Sequence, residues 1–275
     1  MKKKRVLFIT QEMNPYIEES EIAKISRNLP QGIQQRGKEI RTFMPRFGSI
    51  NERRNQLHEV IRLSGMNLII NDNDHPLIIK VASIQAARMQ VYFIDNEEFF
   101  NRKFGLKDKS GEFFEDNAER AIFYCRGVLE TVKKLGWTPD IIHCHGWMTG
   151  LVPLYVKRAF SEDPNFANAK IVTSIYNERN KTSFDSLMGH KAVLDGVDIP
   201  DVGRIANPTV ENINKFAAEW SDAIIYGSEN LDDDLKEHIA KLDVPVLSEF
   251  DRENYVEEFD DFYDLVLEGA EVNAE

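Results

Sequence analysis

Val6-Leu7-Phe8-Ile9 decides how this chain reads: an unbroken apolar run is the pattern of a short strand buried on both faces, as in the middle of a parallel sheet. Over 19–35, Ile22, Ile25, Leu29 and Ile33 recur at spacings of three or four, which is one face of a helix. Pro30 falls inside that pattern and predicts a kink or a split, because proline brings no N–H to the helix ladder. Gly37 reads as the helix stop and 38–44 as a second strand. Strand, helix, strand in that order predicts a parallel sheet with a right-handed crossover.

Outward from this unit the alternation continues. A long helix is expected over 116–134, with Ala121, Cys125, Val128, Leu129 and Val132 inward and Gly136 at its end. Asp140-Ile141-Ile142-His143-Cys144-His145 is another buried strand, followed by a helix over 147–160. Strands at 170–175, 223–226 and 244–247 alternate with helices at 207–220, 230–242 and 251–268. Only 57–95 departs from this rhythm. Short β-rich stretches at 60–63, 68–70, 77–82 and 91–94, with the turn signal Asn71-Asp72-Asn73-Asp74, predict an antiparallel hairpin excursion. The fold class expected is α/β: a single doubly wound Rossmann-like domain carrying that excursion. The domain is expected to span 1–248, with an acidic helix and tail over 249–275 docked on it.

The length of 275 residues fits one large domain or two small ones. No run of about 18 apolar residues occurs, so no membrane span is expected. Behind Met1-Lys2-Lys3-Lys4-Arg5 the apolar stretch is only 6–9, too short for a signal peptide. Two cysteines, Cys125 and Cys144, suit a reducing compartment, and a cytoplasmic location is the expectation. The net charge of −12 argues against nucleic-acid binding, which needs a basic face. From 249 onward there are eleven acidic residues and one basic one, Arg252. A helix there would place Tyr255, Val256, Phe259, Tyr263 and Val266 on one stripe, Phe262 and Leu265 at its margin, and Glu257, Glu258, Asp260, Asp261 and Asp264 in water. An exposed stripe of that kind is rarely tolerated, so docking is expected.

Ligands of such sheets sit beyond the carboxyl ends of the strands. After the first strand come Gln11, Glu12 and then 13–21, a stretch without the glycines that let backbone amides close on a phosphate. Glu18, Glu19 and Glu21 would repel a diphosphate, and they also suit a helix N-terminus on dipole grounds. His143 and His145 share one face of their strand, but no third ligand of suitable spacing accompanies them, so no metal site is expected. Cys125 reads as core. Tyr176-Asn177-Glu178-Arg179 and Gly227-Ser228-Glu229 bring polar groups to strand ends without forming a recognisable catalytic unit. No catalytic residue and no cofactor is assigned from these patterns.

The same residues carry a resemblance. Val6 to Pro15, Leu29-Pro30, Arg36-Gly37-Lys38-Glu39-Ile40, Met44-Pro45-Arg46-Phe47, Val91 to Asn96, Asp116-Asn117-Ala118-Glu119-Arg120 and above all 136–153, with His143-Cys144-His145-Gly146-Trp147 inside it, resemble the N-terminal half of bacterial glycogen synthase and plant starch synthase, the ADP-glucose-dependent enzymes of glycosyltransferase family five. The resemblance implies one Rossmann-like half of a two-domain glycosyltransferase fold. It places Glu12, His145, Trp147 and Asn177 on the cleft wall as binding positions. It also implies departures. The family's lysine-threonine-glycine-glycine loop aligns with Glu18-Glu19-Ser20-Glu21, the aspartate of its histidine-aspartate-tryptophan motif is Gly146, and its later histidine is Tyr176.

Glucosyl transfer from a sugar nucleotide needs a stabilised diphosphate leaving group. With Glu18, Ser20 and Glu21 where a lysine and two glycines stand in the family, and with the sequence ending where the family's donor-binding half would begin, the expectation is a glucan-metabolism protein without ADP-glucose transfer as a lone chain. An active subunit completed by a partner chain and a non-catalytic interaction domain are the alternatives. The expected partner is an α-glucan or another protein, with weak or absent ADP-glucose binding.

Overall fold

The computed structural model describes residues 3–17, 20–178 and 183–272. In chain order it contains β1 (Arg5–Thr10), α1 (Glu21–Gln35), β2 (Glu39–Pro45), β3 (His58–Glu59), β4 (Met66–Ile70), β5 (Asn73–Ile84), β6 (Met89–Asp95), α2 (Glu97–Phe100), α3 (Asn117–Leu135), β7 (Ile141–His145), α4 (Val152–Lys157), β8 (Lys170–Ile175), α5 (Met188–Ala192), α6 (Val210–Trp220), β9 (Ala223–Tyr226), α7 (Asp233–Ile239), β10 (Val246–Leu247) and α8 (Val256–Val272).

The strands lie in the order β10-β9-β8-β7-β1-β2-β6-β5-β3, with β4 paired to β5 off that path. From β10 to β6 every neighbour is parallel. The excursion β3-β4-β5 is antiparallel. The chain leaves β1 to one side for β2 and returns on the other as β7, so a crevice opens at the carboxyl end of β1, where helices from opposite faces diverge. Register places Thr10 beside His145, and His145 beside Ser174. Strand alternation sorts β1: Val6 and Phe8 pack under α1 and α8, while Leu7 and Ile9 face the layer containing α3 and α4.

Several elements differ from the sequence expectation. Pro30 does not split α1, which runs as one helix from Glu21 to Gln35. One ladder bond is forfeited, but Ile22, Ile25, Leu29 and Ile33 are all buried along that helix. Each is worth about 1.5–3 kcal/mol, more than a single net hydrogen bond. Residues 60–63 form a turn rather than a strand, closed by Leu63 N–H donating to Val60 O at 2.9 Å, and the edge strand is β3 just before it. The helix expected over 147–160 is broken: a 3-10 turn at Trp147–Thr149 precedes α4, because Gly146 enters at φ +86° and Gly150 and Pro153 interrupt the ladder.

α8 packs its buried Tyr255-side stripe of Phe259, Phe262, Tyr263 and Val266 against α1 and the sheet. The approach is close. A Cβ on Gly32 of α1 would lie 2.5 Å from Val256 Cγ1. Phe262 is buried rather than marginal, and Asp260 does not face water. Asp260 is buried between Arg36 Nε at 2.7 Å and Lys38 Nζ at 2.6 Å. Among the described residues no helix is long and apolar enough to cross a membrane.

Candidate functional site at the carboxyl end of the sheet

The ends of β1, β7, β8 and β9 bring most of the expected positions together, while Glu18 lies outside the described residues. β7 carries His145 to the crevice with its ring fully buried, its Nδ1 2.8 Å from the Tyr176 hydroxyl on the end of β8. Burial disfavours the charged imidazolium, and His145 is pushed down to about 3. His143 lies one alternation back, its ring centroid 3.9 Å from that of His145. Both nitrogens of His143 meet hydroxyls, Tyr263 at 2.6 Å and Ser174 at 2.7 Å, so neither is free for a metal.

Trp147 does not present its indole to the crevice. The ring stacks on Phe184 at 4.5 Å, is edge-on to Phe113, and is buried. What Trp147 offers the site is its backbone N–H, which donates to Glu178 Oε1 at 3.1 Å. Glu178 Oε2 accepts from Gln11 Nε2 at 2.7 Å, and Gln11 Oε1 accepts from Met148 N–H at 3.3 Å. Gln11 therefore lies across the end of β7, directly over Gly146. A Cβ on Gly146 would meet the Gln11 amide carbon at 2.5 Å, and at φ +86° that residue is in a region side chains rarely adopt. Glu178 is pushed up to about 7, first by burial and further by Glu12, against the opposing pull of Gln11, the Trp147 amide and Lys107. Glu12 is also raised by burial, with Ser20 and Gln11 as hydrogen-bonding partners.

The start of α1 faces the end of β9. Ser20 caps the helix, its Oγ accepting from Ala23 N–H at 2.9 Å. Glu21 Oε2 accepts from Ser228 Oγ at 2.5 Å, and Ser228 Oγ in turn accepts from Asn177 N–H at 3.2 Å. Arg252, from the segment before α8, lies 3.5 Å from Glu21 and donates to the carbonyls of Gly227 and Tyr226 at the end of β9. Glu21 is thus tied to the chain's own C-terminal segment.

Gln11, Glu178, Ser228 and Arg252 were not singled out by sequence reasoning as site residues. The available signals were positional: three of them follow directly on apolar strands, and Arg252 is the single basic residue in an acidic tail.

Residues 5–243 match the family model described as the starch synthase catalytic domain. Glycogen synthase of Chlorobium limicola is 37% identical over 174 residues, covering 63% of this chain and 36% of that protein. Glycogen synthase of Chlorobaculum tepidum is 38% identical over 200 residues, covering 71% of this chain and 41% of that protein. This chain thus spans about two fifths of the length of these relatives. The solved catalytic domain of Arabidopsis thaliana starch synthase IV, bound to ADP and acarbose, superposes with a TM-score of 0.69 at 18% identity, covering 92% of this chain and 53% of that one. That superposition establishes the fold, a Rossmann-like half of the glycosyltransferase architecture.

Proposed function

Since the chain belongs to the glycogen and starch synthase family through its N-terminal, starch synthase catalytic-type domain, we propose that it is a cytoplasmic, glycogen/starch synthase-like protein of glucan metabolism that does not by itself transfer glucose from ADP-glucose. One observation carries this reading. At the β1–α1 junction, where a diphosphate would need open backbone amides, Glu21 is instead engaged by Ser228 and Arg252. A phosphate brought there would meet a carboxylate and would have to take Arg252 away from it.

Two further features agree with it. The space beside Gly146 is filled by Gln11, and Tyr176 lies over Gly227, whose added Cβ would meet the tyrosine ring at 2.5 Å. The ligand class that remains compatible is a neutral, hydroxyl-rich chain, to which Glu12 and Glu178 would offer acceptors; the Asn177 side-chain amide already donates to Asn230 O. An α-glucan fits that description.

The experiment is glucose transfer from ADP-glucose to glycogen, with a full-length family enzyme as the positive control. No turnover above a heat-killed sample is expected. Turnover by this chain alone would overturn the reading, and turnover that appears only on adding a second protein would replace it with a catalytic subunit completed in trans.

A further inference from the structure

We propose that Gln11, Gly146 and Glu178 form one interlocked unit that positions the Glu178 carboxyl to meet a ligand hydroxyl at the crevice beyond β1. The geometry makes the three interdependent. Gly146 leaves the space that Gln11 occupies. Gln11 bridges the end of β1 to β7 through Met148 N–H and to Glu178 through its amide nitrogen. Glu178 takes a second donor from the Trp147 backbone, so its two oxygens are fixed by two different strand ends. A side chain at 146 would expel Gln11 and release one of those oxygens.

The other titratable groups nearby are poorly placed for this role. His143 has both ring nitrogens on hydroxyls and is fully buried. His145 is fully buried with Nδ1 on Tyr176. Both are held neutral by burial. Glu178 retains partial exposure, unlike the two sealed histidines. The groups facing it are Gln11 and Glu12 from the end of β1, the Trp147 amide from β7, Tyr176 beside it on β8, and Lys107 from the segment before α3. Burial and Glu12 favour its protonated form; the two donors and Lys107 favour the carboxylate. That balance leaves a carboxyl that changes charge near neutrality, so a ligand hydroxyl hydrogen-bonded to it meets a donor below that pH and an acceptor above it.

The test has two arms, and only the second rests on the glucan reading. In the first, side-chain carboxyl NMR of 13C-glutamate-labelled full chain is followed against pH, with Glu178→Gln assigning the signal. A midpoint near 7 is expected for Glu178. Gln11→Ala removes a donor to the carboxylate and should move the midpoint upward. Gly146→Asp, which displaces Gln11 and adds a negative charge, should move it further. A midpoint near the ordinary 4.5, or one that Gln11→Ala leaves in place, overturns the proposal. Gln11→Ala carries the comparison if Gly146→Asp does not fold. In the second arm, maltoheptaose binding is measured by calorimetry at pH 6 and pH 8. Affinity that changes with pH in the native chain and not in Glu178→Gln supports the proposal. Binding that ignores pH refutes the contact between ligand and carboxyl. No binding at either pH refutes the glucan reading, and the NMR arm then decides the proposal alone.

Discussion

The hydroxyl of Tyr263 lies 2.6 Å from Nδ1 of His143, across 120 residues of chain. The contact ties α8 to the central strand β7, one side chain away from His145 in the crevice. Because both groups are fully buried, neither can turn to water if the other is lost.

Tyr263→Phe should therefore lower stability by about 1–3 kcal/mol, since it leaves a buried imidazole nitrogen without its partner. Phe259→Ala should cost about 3–5 kcal/mol through the cavity it leaves under α8. Chemical denaturation measures both. Deleting everything after Ser248 removes the whole helix and asks whether 249–275 belongs to the domain. A lower melting temperature and a loss of solubility are expected, and an unchanged monomer melting as before would contradict the docked arrangement.

Gly146→Ala should destabilise through two separable effects: the positive φ, and the 2.5 Å approach of Gln11. The backbone alone, at φ +86° and ψ 159°, lies in a region essentially reserved for glycine and costs any other residue about 1–3 kcal/mol. Gln11→Ala in the same chain should relieve the steric part and leave the backbone part. A double-mutant cycle by denaturation is expected to show coupling of at least about 0.5 kcal/mol. Strict additivity would mean that Gln11 does not occupy that space.

The buried histidines and Glu178 give stability opposite slopes against pH. His145 is held near 3 in the native chain against an ordinary value of 6.5, so as pH falls below 6.5 the unfolded chain takes up protons that the native one refuses. Stability is lost progressively from pH 6.5 toward 3, and His143 adds to the same slope. Glu178 keeps its proton up to about 7 in the native chain against an ordinary 4.5, so its contribution is complete below 4.5 and is lost as pH rises toward 7. Denaturation curves should show Glu178→Gln removing the decline between pH 4.5 and about 7 while leaving the histidine-linked loss toward pH 3 in place.

ADP and ADP-glucose are expected to bind this chain no more tightly than millimolar, about −4 kcal/mol. Replacing Glu18, Ser20 and Glu21 with lysine, glycine and glycine should raise anion affinity, because Glu21→Gly also frees Arg252 from its ion pair. Calorimetry on both chains is the measurement, and micromolar binding by the native one would contradict the expectation.

Much of the fold was legible in the residue pattern alone. Apolar runs such as 6–9 and 141–142 mark buried strands, and the spacing of Ile22, Ile25, Leu29 and Ile33 marks α1 in spite of Pro30. Those signals are local, because strand and helix periods repeat within a few residues. Glu12, His145 and Asn177 lie at or just beyond strand ends, as their place after apolar runs predicts, while a binding role for them is implied by the family resemblance. What the tertiary structure alone decided is which side chains meet. That Gln11 fills the space beside Gly146, that Glu178 joins three strand ends, that Asp260 is buried on Arg36 and Lys38, and that Arg252 reaches Glu21 all depend on approaches between residues far apart in the chain. Whether a carboxylate is a solvated charge or a buried, hydrogen-bonded group is set by those neighbours and by how much water they exclude, and neither is encoded in the spacing of the residue itself.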